Sequence, residues 1–368
     1  MRTPAGIFYL LLVLLPLSGW GQETEIKYIE GKDLELRGRG DIVTSDRFYR
    51  LDSLDALNLP KRVQELSRNT AGLNLNFKTN SRSIHLKWEV DEYRNLWNMT
   101  PLAVNGFDLY AWNGTSWQFV SSAKPSDTKS SDVIISNLDG EMRNYRLYFP
   151  LYSGVDQVQV GIDKTSEILS QDDFLAPRKK AVIYGSSITQ GASASRPGMA
   201  FPSIISRDLQ MELINLGFSG SGKMEMEVAE ILGTMQPDLF ILDCVPNPSP
   251  EQIRERAIPF IRELRRAQPN TPILMVESVF RENAHWDSKW NERMIDQNKA
   301  FRKAFETLKE QGYKHLYYIP SEELIGNDHE ATIDGVHFTD LGHFRIAARI
   351  SESIKEILNL KEAASQEE

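Results

Sequence analysis

The amino-acid sequence predicts two domains: a β-sandwich of jelly-roll type, followed by a three-layer α/β/α domain. Three observations support this prediction. Apolar residues recur with period two from Leu34 to Ile162, continuous apolar runs alternate with helical patterns after residue 180, and a polar stretch containing Pro177 separates the two regions. We place the first domain at residues 24–170, the linker at 171–179 and the second domain at 180–360.

Short alternating segments dominate the first domain. Alternation of this kind turns one face of each strand toward a core, and many short strands without long helical patterns are typical of a β-sandwich. The pair Asn113-Gly114 lies between two aromatic-rich runs and predicts a hairpin with a two-residue turn. The clearest alternating segments are 73–77, 84–90, 145–151 and 158–162.

The second domain contains five apolar runs separated by helical patterns. Strands joined through helices pair in parallel and form a sheet that helices cover on both faces. In such sheets the functional site lies at the carboxyl ends of the strands, so polar residues that follow a strand are site candidates. The predicted strands are 181–184, 213–216, 239–242, 273–276 and 316–319.

Composition and the chain termini limit the possible partners. The 368 residues carry a formal net charge of −9, which argues against a nucleic acid or an anionic membrane as partner. Residues 1–21 resemble a signal peptide whose apolar run, 7–17, is too short to span a bilayer. We therefore expect a periplasmic or secreted mature protein without a membrane span. The single cysteine, Cys244, excludes an intramolecular disulfide, and the acidic tail 361–368 is expected to be disordered.

Four polar clusters, 185–191, 215–220, 243–247 and 334–337, follow strands of the second domain. Together they contain what acyl transfer requires. Ser186 or Ser187 offers a hydroxyl nucleophile, His337 is a candidate base, and Asp334 is placed to orient it. A backbone N–H after a glycine turn and the Asn247 carboxamide are candidate donors to an oxyanion. Taken singly, each cluster has an ordinary structural explanation, because serine, glycine and asparagine are common turn residues.

Two other functional classes compete with this interpretation. In a metal hydrolase, Asp334, His337 and His343 would be ligands. His329 and His343 lack a clear second cluster of histidines or carboxylates, so the sequence does not assemble a closed set of three or four ligands. We therefore predict neither a metal nor an organic cofactor. The other rival is a non-catalytic glycan-binding protein with a degenerate second domain, and the presence of serine, aspartate and histidine together argues against it.

The four clusters resemble the sequence blocks of the SGNH (GDSL-like) hydrolases. Ser187 matches the nucleophile of the G-D-S-x-x-x-G block, Gly220 the glycine of the second block, Asn247 the asparagine of the third, and Asp334 and His337 the D-x-x-H block. The resemblance implies a flavodoxin-like α/β/α domain and a serine esterase. It also implies an oxyanion hole made of the Ser187 N–H, the Gly220 N–H and the Asn247 side chain.

The sequence departs from the family pattern at two places. Ser186 stands where the family usually has an aspartate before the nucleophile. The segment Val245-Pro246-Asn247-Pro248 replaces the usual G-T-N-D of the third block, which weakens the assignment of Asn247.

The first domain contains Gly106-Phe107-Asp108-Leu109-Tyr110. This segment resembles the G-x-D-L-Y motif of a β-rich domain that precedes SGNH hydrolase domains in exported bacterial proteins. The local alternative is an ordinary strand with inward-facing residues.

The expected substrate is an O-acetylated carbohydrate, either a small molecule or a polysaccharide, with a lipid or another short-chain acyl ester as the alternative. Trp97, Trp112 and Trp117 are candidates for stacking on sugar rings, and packing in the core is an equal alternative for them.

Overall fold

The protein is described by a computed structural model that covers residues 25–40, 47–51, 58–322 and 324–360. The predicted signal peptide, 1–21, and the predicted disordered tail, 361–368, lie outside the described residues.

The first domain is a sandwich of two antiparallel sheets, as the alternating pattern predicts. One sheet has the strand order β1-β9-β4-β7, and the other has β10-β3-β8-β5-β6 with β2 paired to β3. Alternate residues of β3 (Leu75, Phe77) and β4 (Ile84, Leu86, Trp88) meet in one buried core between the sheets. The elements are β1 (Ile26–Glu30), β2 (Glu35–Arg37), α1 (Lys61–Leu66), β3 (Asn74–Thr79), β4 (Ile84–Val90), α2 (Pro101–Asn105), β5 (Phe107–Trp112), β6 (Trp117–Ala123), β7 (Lys129–Ile135), β8 (Arg143–Tyr148), β9 (Val155–Asp163) and β10 (Ile168–Leu169).

The predicted hairpin forms between β5 and β6, but its turn differs from the prediction. The Asn113 N–H donates to Ser116 O at 3.1 Å, which leaves Gly114 and Thr115 at the centre of the turn. The side chain of Asn113 accepts hydrogen bonds from the backbone N–H groups of Thr115 and Ser116. Asn113 therefore caps the turn from one position earlier than predicted.

The second domain is a five-stranded parallel sheet in the order β12-β11-β13-β14-β15, with helices on both faces. Side chains of β11 alternate between two cores: Val182 and Tyr184 pack toward α5, α6 and α7, whereas Ala181 and Ile183 pack toward α4 and α8. The predicted fold class is confirmed. The elements are β11 (Lys180–Gly185), α3 (Ser187–Gln190), α4 (Phe201–Asp208), β12 (Glu212–Gly217), α5 (Met226–Thr234), β13 (Leu239–Asp243), α6 (Pro250–Ala267), β14 (Ile273–Val276), α7 (Ser288–Glu310), β15 (Leu316–Ile319) and α8 (Asp340–Leu358).

No helix within the described residues has both the length and the hydropathy needed to cross a bilayer.

The G-x-D-L-Y segment holds the two domains together. Asp108 is fully buried, and its Oδ2 accepts hydrogen bonds from Arg196 Nη1 at 2.9 Å and from the Gly198 N–H at 2.8 Å. Tyr110 packs so closely on Gly198 that a Cβ built there would lie 2.5 Å from the tyrosine ring. Asp108 and Tyr110 thus dock β5 onto the segment that follows the first polar cluster.

We expect Asp108→Asn to lower the free energy of unfolding by about 3 kcal/mol, because it leaves the largely buried Arg196 without its carboxylate. Chemical unfolding followed by circular dichroism measures this loss. Asp139→Asn is the matched control, since the Asp139–Arg143 pair lies at the surface and is worth less than about 1 kcal/mol. Equal losses in the two variants would contradict a docking role for Asp108.

Asp243, at the end of β13, holds the short helix α3 against the sheet. Its Oδ2 accepts a hydrogen bond from Thr189 Oγ1 at 2.6 Å. Burial raises the pKa of Asp243 to about 7, although the Thr189 hydrogen bond acts in the opposite direction. Because the folded state binds this proton more tightly than the unfolded chain does, the contribution of Asp243 to stability is full below about pH 4 and is lost as the pH rises toward 7.

We therefore expect Asp243→Asn, which keeps an acceptor for Thr189 but cannot ionise, to gain stability relative to the parent as the pH rises. The difference in unfolding free energy should grow by roughly 2–3 kcal/mol between pH 5 and pH 8. Urea unfolding of both proteins across this range measures it. Parallel pH profiles would show that Asp243 is not a protonated buried acid at low pH.

Candidate active site

Three predicted side chains form a continuous hydrogen-bonded chain at the carboxyl edge of the sheet. Ser187 Oγ lies 3.1 Å from His337 Nε2, and His337 Nδ1 lies 2.7 Å from Asp334 Oδ2. Since an ionised carboxylate only accepts, the imidazole donates through Nδ1 and offers Nε2 as acceptor to the serine hydroxyl. Side chains 150 residues apart in sequence meet here because both segments follow strands of one parallel sheet.

Local backbone contacts fix the position of Asp334. Its Oδ1 accepts hydrogen bonds from the backbone N–H groups of His337, at 2.7 Å, and Val336, at 2.9 Å. Burial alone would raise the pKa of Asp334, but the hydrogen bonds from the ring and backbone of His337 outweigh it and hold the pKa below its ordinary value. The carboxylate is thus ionised at neutral pH.

The two adjacent serines have different environments. Ser186 is fully buried and is the N-cap of α3, where its Oγ accepts a hydrogen bond from the Ile188 N–H at 3.2 Å. Ser187 is the first residue of the helix, and its Oγ contacts the imidazole of His337. Of the two serines, Ser187 therefore has the contact with a base that a nucleophile requires.

Gly220 and Asn247 lie on neighbouring loops. Gly220 has φ +70°, and a Cβ built on it would meet no heavy atom within 4 Å, so the backbone conformation rather than crowding favours glycine there. Asn247 Nδ2 donates to Ser221 O at 2.6 Å, which places its carboxamide beside the loop that carries Gly220. The amide has a second N–H that this bond does not use.

The first domain contributes Asn98, which sequence reasoning did not connect with the site. Its Nδ2 lies 3.4 Å from Asp334 Oδ2 and donates to Ser193 Oγ at 3.1 Å. Asn98 thus adds a contact from the first domain to the carboxylate of Asp334. No sequence pattern links a residue of the sandwich to Asp334, so the contact becomes visible only when the domains are placed together.

A cavity of about 550 Å³ opens beside His337 between the two domains. Trp97 lines it with 84% of its surface exposed, whereas Trp117 is buried and Trp112 packs against it and Phe174. Of the three predicted stacking candidates, Trp97 alone lines this cavity, and the other two are packing residues. Six charged side chains contribute to the remaining wall, together with uncharged polar and apolar residues: Arg62, Glu65, Arg68, Asp91, Glu92 and Arg94.

The ligand set considered for a metal hydrolase does not form. His343 is fully buried, its Nε2 lies 3.1 Å from Ala192 O, and its Nδ1 accepts from the Phe201 N–H. Burial lowers the pKa of His343 to about 4, so its ring is neutral and serves packing. His337 contacts Ser187 through one ring nitrogen and Asp334 through the other instead.

Comparison with known protein families gives a match for each of the two domains. Residues 178–355 match the model of the GDSL-like lipase/acylhydrolase family, and residues 26–168 match the GxDLY model, the N-terminus of SGNH-hydrolase-type esterases. No functionally curated protein shows significant similarity to the sequence.

Solved structures resemble the whole two-domain chain. A protein described as a GDSL-like lipase from Bacteroides ovatus is 38% identical, with a TM-score of 0.88 over 92% of this chain and 99% of that chain. The salicylyl-acyltransferase SsfX3 of a tetracycline biosynthetic pathway is 17% identical, with a TM-score of 0.73 over 91% and 99%. A family two carbohydrate esterase from Clostridium thermocellum is 13% identical, with a TM-score of 0.59 over 78% and 93%. The last two structures, at these low identities, show only that they share the fold of this chain.

The family models, the 38% identical structure and the two-domain architecture lead to one conclusion: this chain belongs to the GDSL-like lipase/acylhydrolase (SGNH) family of carboxylic ester hydrolases and carries the family's N-terminal GxDLY domain.

Proposed function

We propose that this protein is an exported esterase that removes short acyl groups, acetyl above all, from carbohydrates by means of Ser187, His337 and Asp334. The observation that carries the proposal is the Ser187–His337–Asp334 chain at the edge of a polar cavity containing an exposed tryptophan. The signal-like pattern of residues 1–21 supports export.

The contacts suggest a role for each group. Ser187 Oγ attacks the ester carbonyl carbon while His337 Nε2 accepts its proton, and the charge on the imidazolium is balanced by Asp334. The tetrahedral intermediate collapses, the C–O bond to the alcohol breaks, and His337 returns the proton to the departing oxygen. Water then attacks the acyl-enzyme with His337 as base and releases the carboxylic acid.

The developing oxyanion needs hydrogen-bond donors. The backbone N–H groups of Ser187 and Gly220 donate to no acceptor within the described part of the chain, and Asn247 retains one N–H. These three donors lie in the segments that directly follow β11, β12 and β13, and these strands are neighbours in the sheet. We assign them to the oxyanion hole.

The walls of the cavity favour a carbohydrate over a long acyl chain. Charged side chains around a cavity of this kind are suited to hydroxyl groups, whereas a fatty acyl chain requires an apolar tunnel. The exposed indole of Trp97 offers a face for stacking on a sugar ring. The distant fold similarity to a carbohydrate esterase is compatible with this choice.

We expect Ser187→Ala to lower kcat on an aryl acetate by at least roughly 10⁴-fold, since members of a triad act as a unit. Ser186→Ala is the matched control. It should cost about 1 kcal/mol of stability through loss of the helix cap but leave kcat within about tenfold of the parent. Full activity in Ser187→Ala would refute the mechanism, and a collapse in Ser186→Ala with Ser187→Ala active would move the nucleophile by one residue.

We expect Trp97→Ala to raise KM for acetylated oligosaccharides by about tenfold, equivalent to the loss of one stacking contact, while kinetics on p-nitrophenyl acetate change little. Trp286→Ala is the control, because Trp286 is 92% exposed but does not line the cavity. Acetate release from acetylated polysaccharides and hydrolysis of p-nitrophenyl palmitate complete the assay. Preference for the palmitate ester would reject the carbohydrate substrate in favour of a lipid.

A further inference from the structure

Two histidines and a glutamate meet outside the proposed catalytic residues. Glu282 and His285 lie on the 3₁₀ turn Glu282–His285 between β14 and α7, and His329 lies between β15 and α8. Glu282 Oε2 is 2.8 Å from His329 Nδ1 and 3.9 Å from His285 Nε2, and the ligand atoms of the three residues lie within 4.8 Å of one another. Glu282 and His329 are 47 residues apart in sequence, so no short spacing motif predicts this cluster.

The backbone explains why these side chains converge. A 3₁₀ turn has three residues per turn, so Glu282 and His285 project from the same side of it. His329 adopts φ +63°, a left-handed conformation that costs a non-glycine residue roughly 1 kcal/mol or more. Its ring nevertheless contacts the Glu282 carboxylate and packs edge-on to His285 at a centroid distance of 4.9 Å.

One carboxylate and two imidazoles form a donor set that suits Zn²⁺ and related transition-metal ions. Bonds of about 2.0–2.1 Å in tetrahedral geometry separate the ligand atoms by roughly 3.4 Å. The observed separations of 2.8 and 3.9 Å lie on either side of that value, so small side-chain rotations satisfy it. The side chains are 20%, 43% and 61% exposed for Glu282, His285 and His329, which leaves access for the ion and for water as a further ligand.

We propose that Glu282, His285 and His329 bind a divalent transition-metal ion, with Zn²⁺ as the preferred species. The sequence predicts no metal, and this site adds one apart from the proposed catalytic residues, which contact each other directly. Its role is structural. His329 precedes Asp334 by five residues, and a Cβ built on Gly335 would lie 3.4 Å from the backbone nitrogen of Asn283. The ion therefore crosslinks the 3₁₀ turn to the segment that carries Asp334 and His337.

Calorimetric titration of chelator-treated, tag-free protein with ZnCl₂ tests the site, since a histidine tag would itself bind zinc. We expect one ion per chain with a Kd in the micromolar range and an unfolding midpoint that rises by roughly 3 °C or more in excess Zn²⁺. MgCl₂, a hard cation that prefers oxygen ligands, should produce neither effect. Binding should be unchanged in Ser187→Ala, so the site is tested independently of the proposed esterase activity.

His329→Asn and Glu282→Gln should each abolish the binding heat and the midpoint shift. His315→Asn is a matched control, because His315 is an exposed histidine outside the cluster and also has a left-handed backbone, with φ +55°. Asparagine tolerates this conformation, so both histidine variants should fold. Failure of the parent to bind Zn²⁺ below roughly 100 μM, or retention of binding in His329→Asn and Glu282→Gln, would overturn the proposal.

Discussion

The buried guanidinium of Arg50 constrains the relative position of the two domains. It donates to the carbonyl oxygens of Leu66 and Asn69 in the first domain and to those of Asn215 and Gly217 at the end of β12. Burial lowers its pKa to about 9, because removal from water disfavours the charged form. A buried cation must keep its acceptors, so these four carbonyls stay in place around it. The loop that leads from β12 to Gly220 is thereby tied to the sandwich.

This constraint makes the sandwich part of the site rather than a separate module. With the interface fixed by Arg50 and by Asp108, the segment before α2 reaches over the sheet edge. Asn98 contacts Asp334, and Trp97 reaches the cavity beside His337. The second domain supplies the reacting groups that we propose, and the first supplies a contact to the carboxylate and one wall of the cavity. Loosening the interface should therefore disturb substrate contacts as well as stability.

The sequence predicts what local patterns encode and misses what depends on distant segments. The parallel strands could be predicted because strands buried on both faces form continuous apolar runs. The observed strands exceed the predicted ones by at most one residue at either end. The contact between Asp334 and His337 could be predicted because both residues lie on one loop. Residue types alone cannot choose between Ser186 and Ser187. Asn98 and the contact of Glu282 with His329 arise from packing between segments that no spacing rule connects.

At both departures from the family pattern, hydrogen bonds of this chain hold the local backbone. An aspartate before the nucleophile is a good helix N-cap, and Ser186 is an equally effective one, with its Oγ bonded to the Ile188 N–H. In the third block, side chains of other segments bind the backbone on either side of Asn247. Arg281 donates to Pro246 O at 2.6 Å, and Gln297 donates to Pro248 O at 2.5 Å. Asn247 is thus fixed from both sides without the usual G-T-N-D residues. At these two points the chain thus has a helix cap and an anchored asparagine without the residues that the family usually has there.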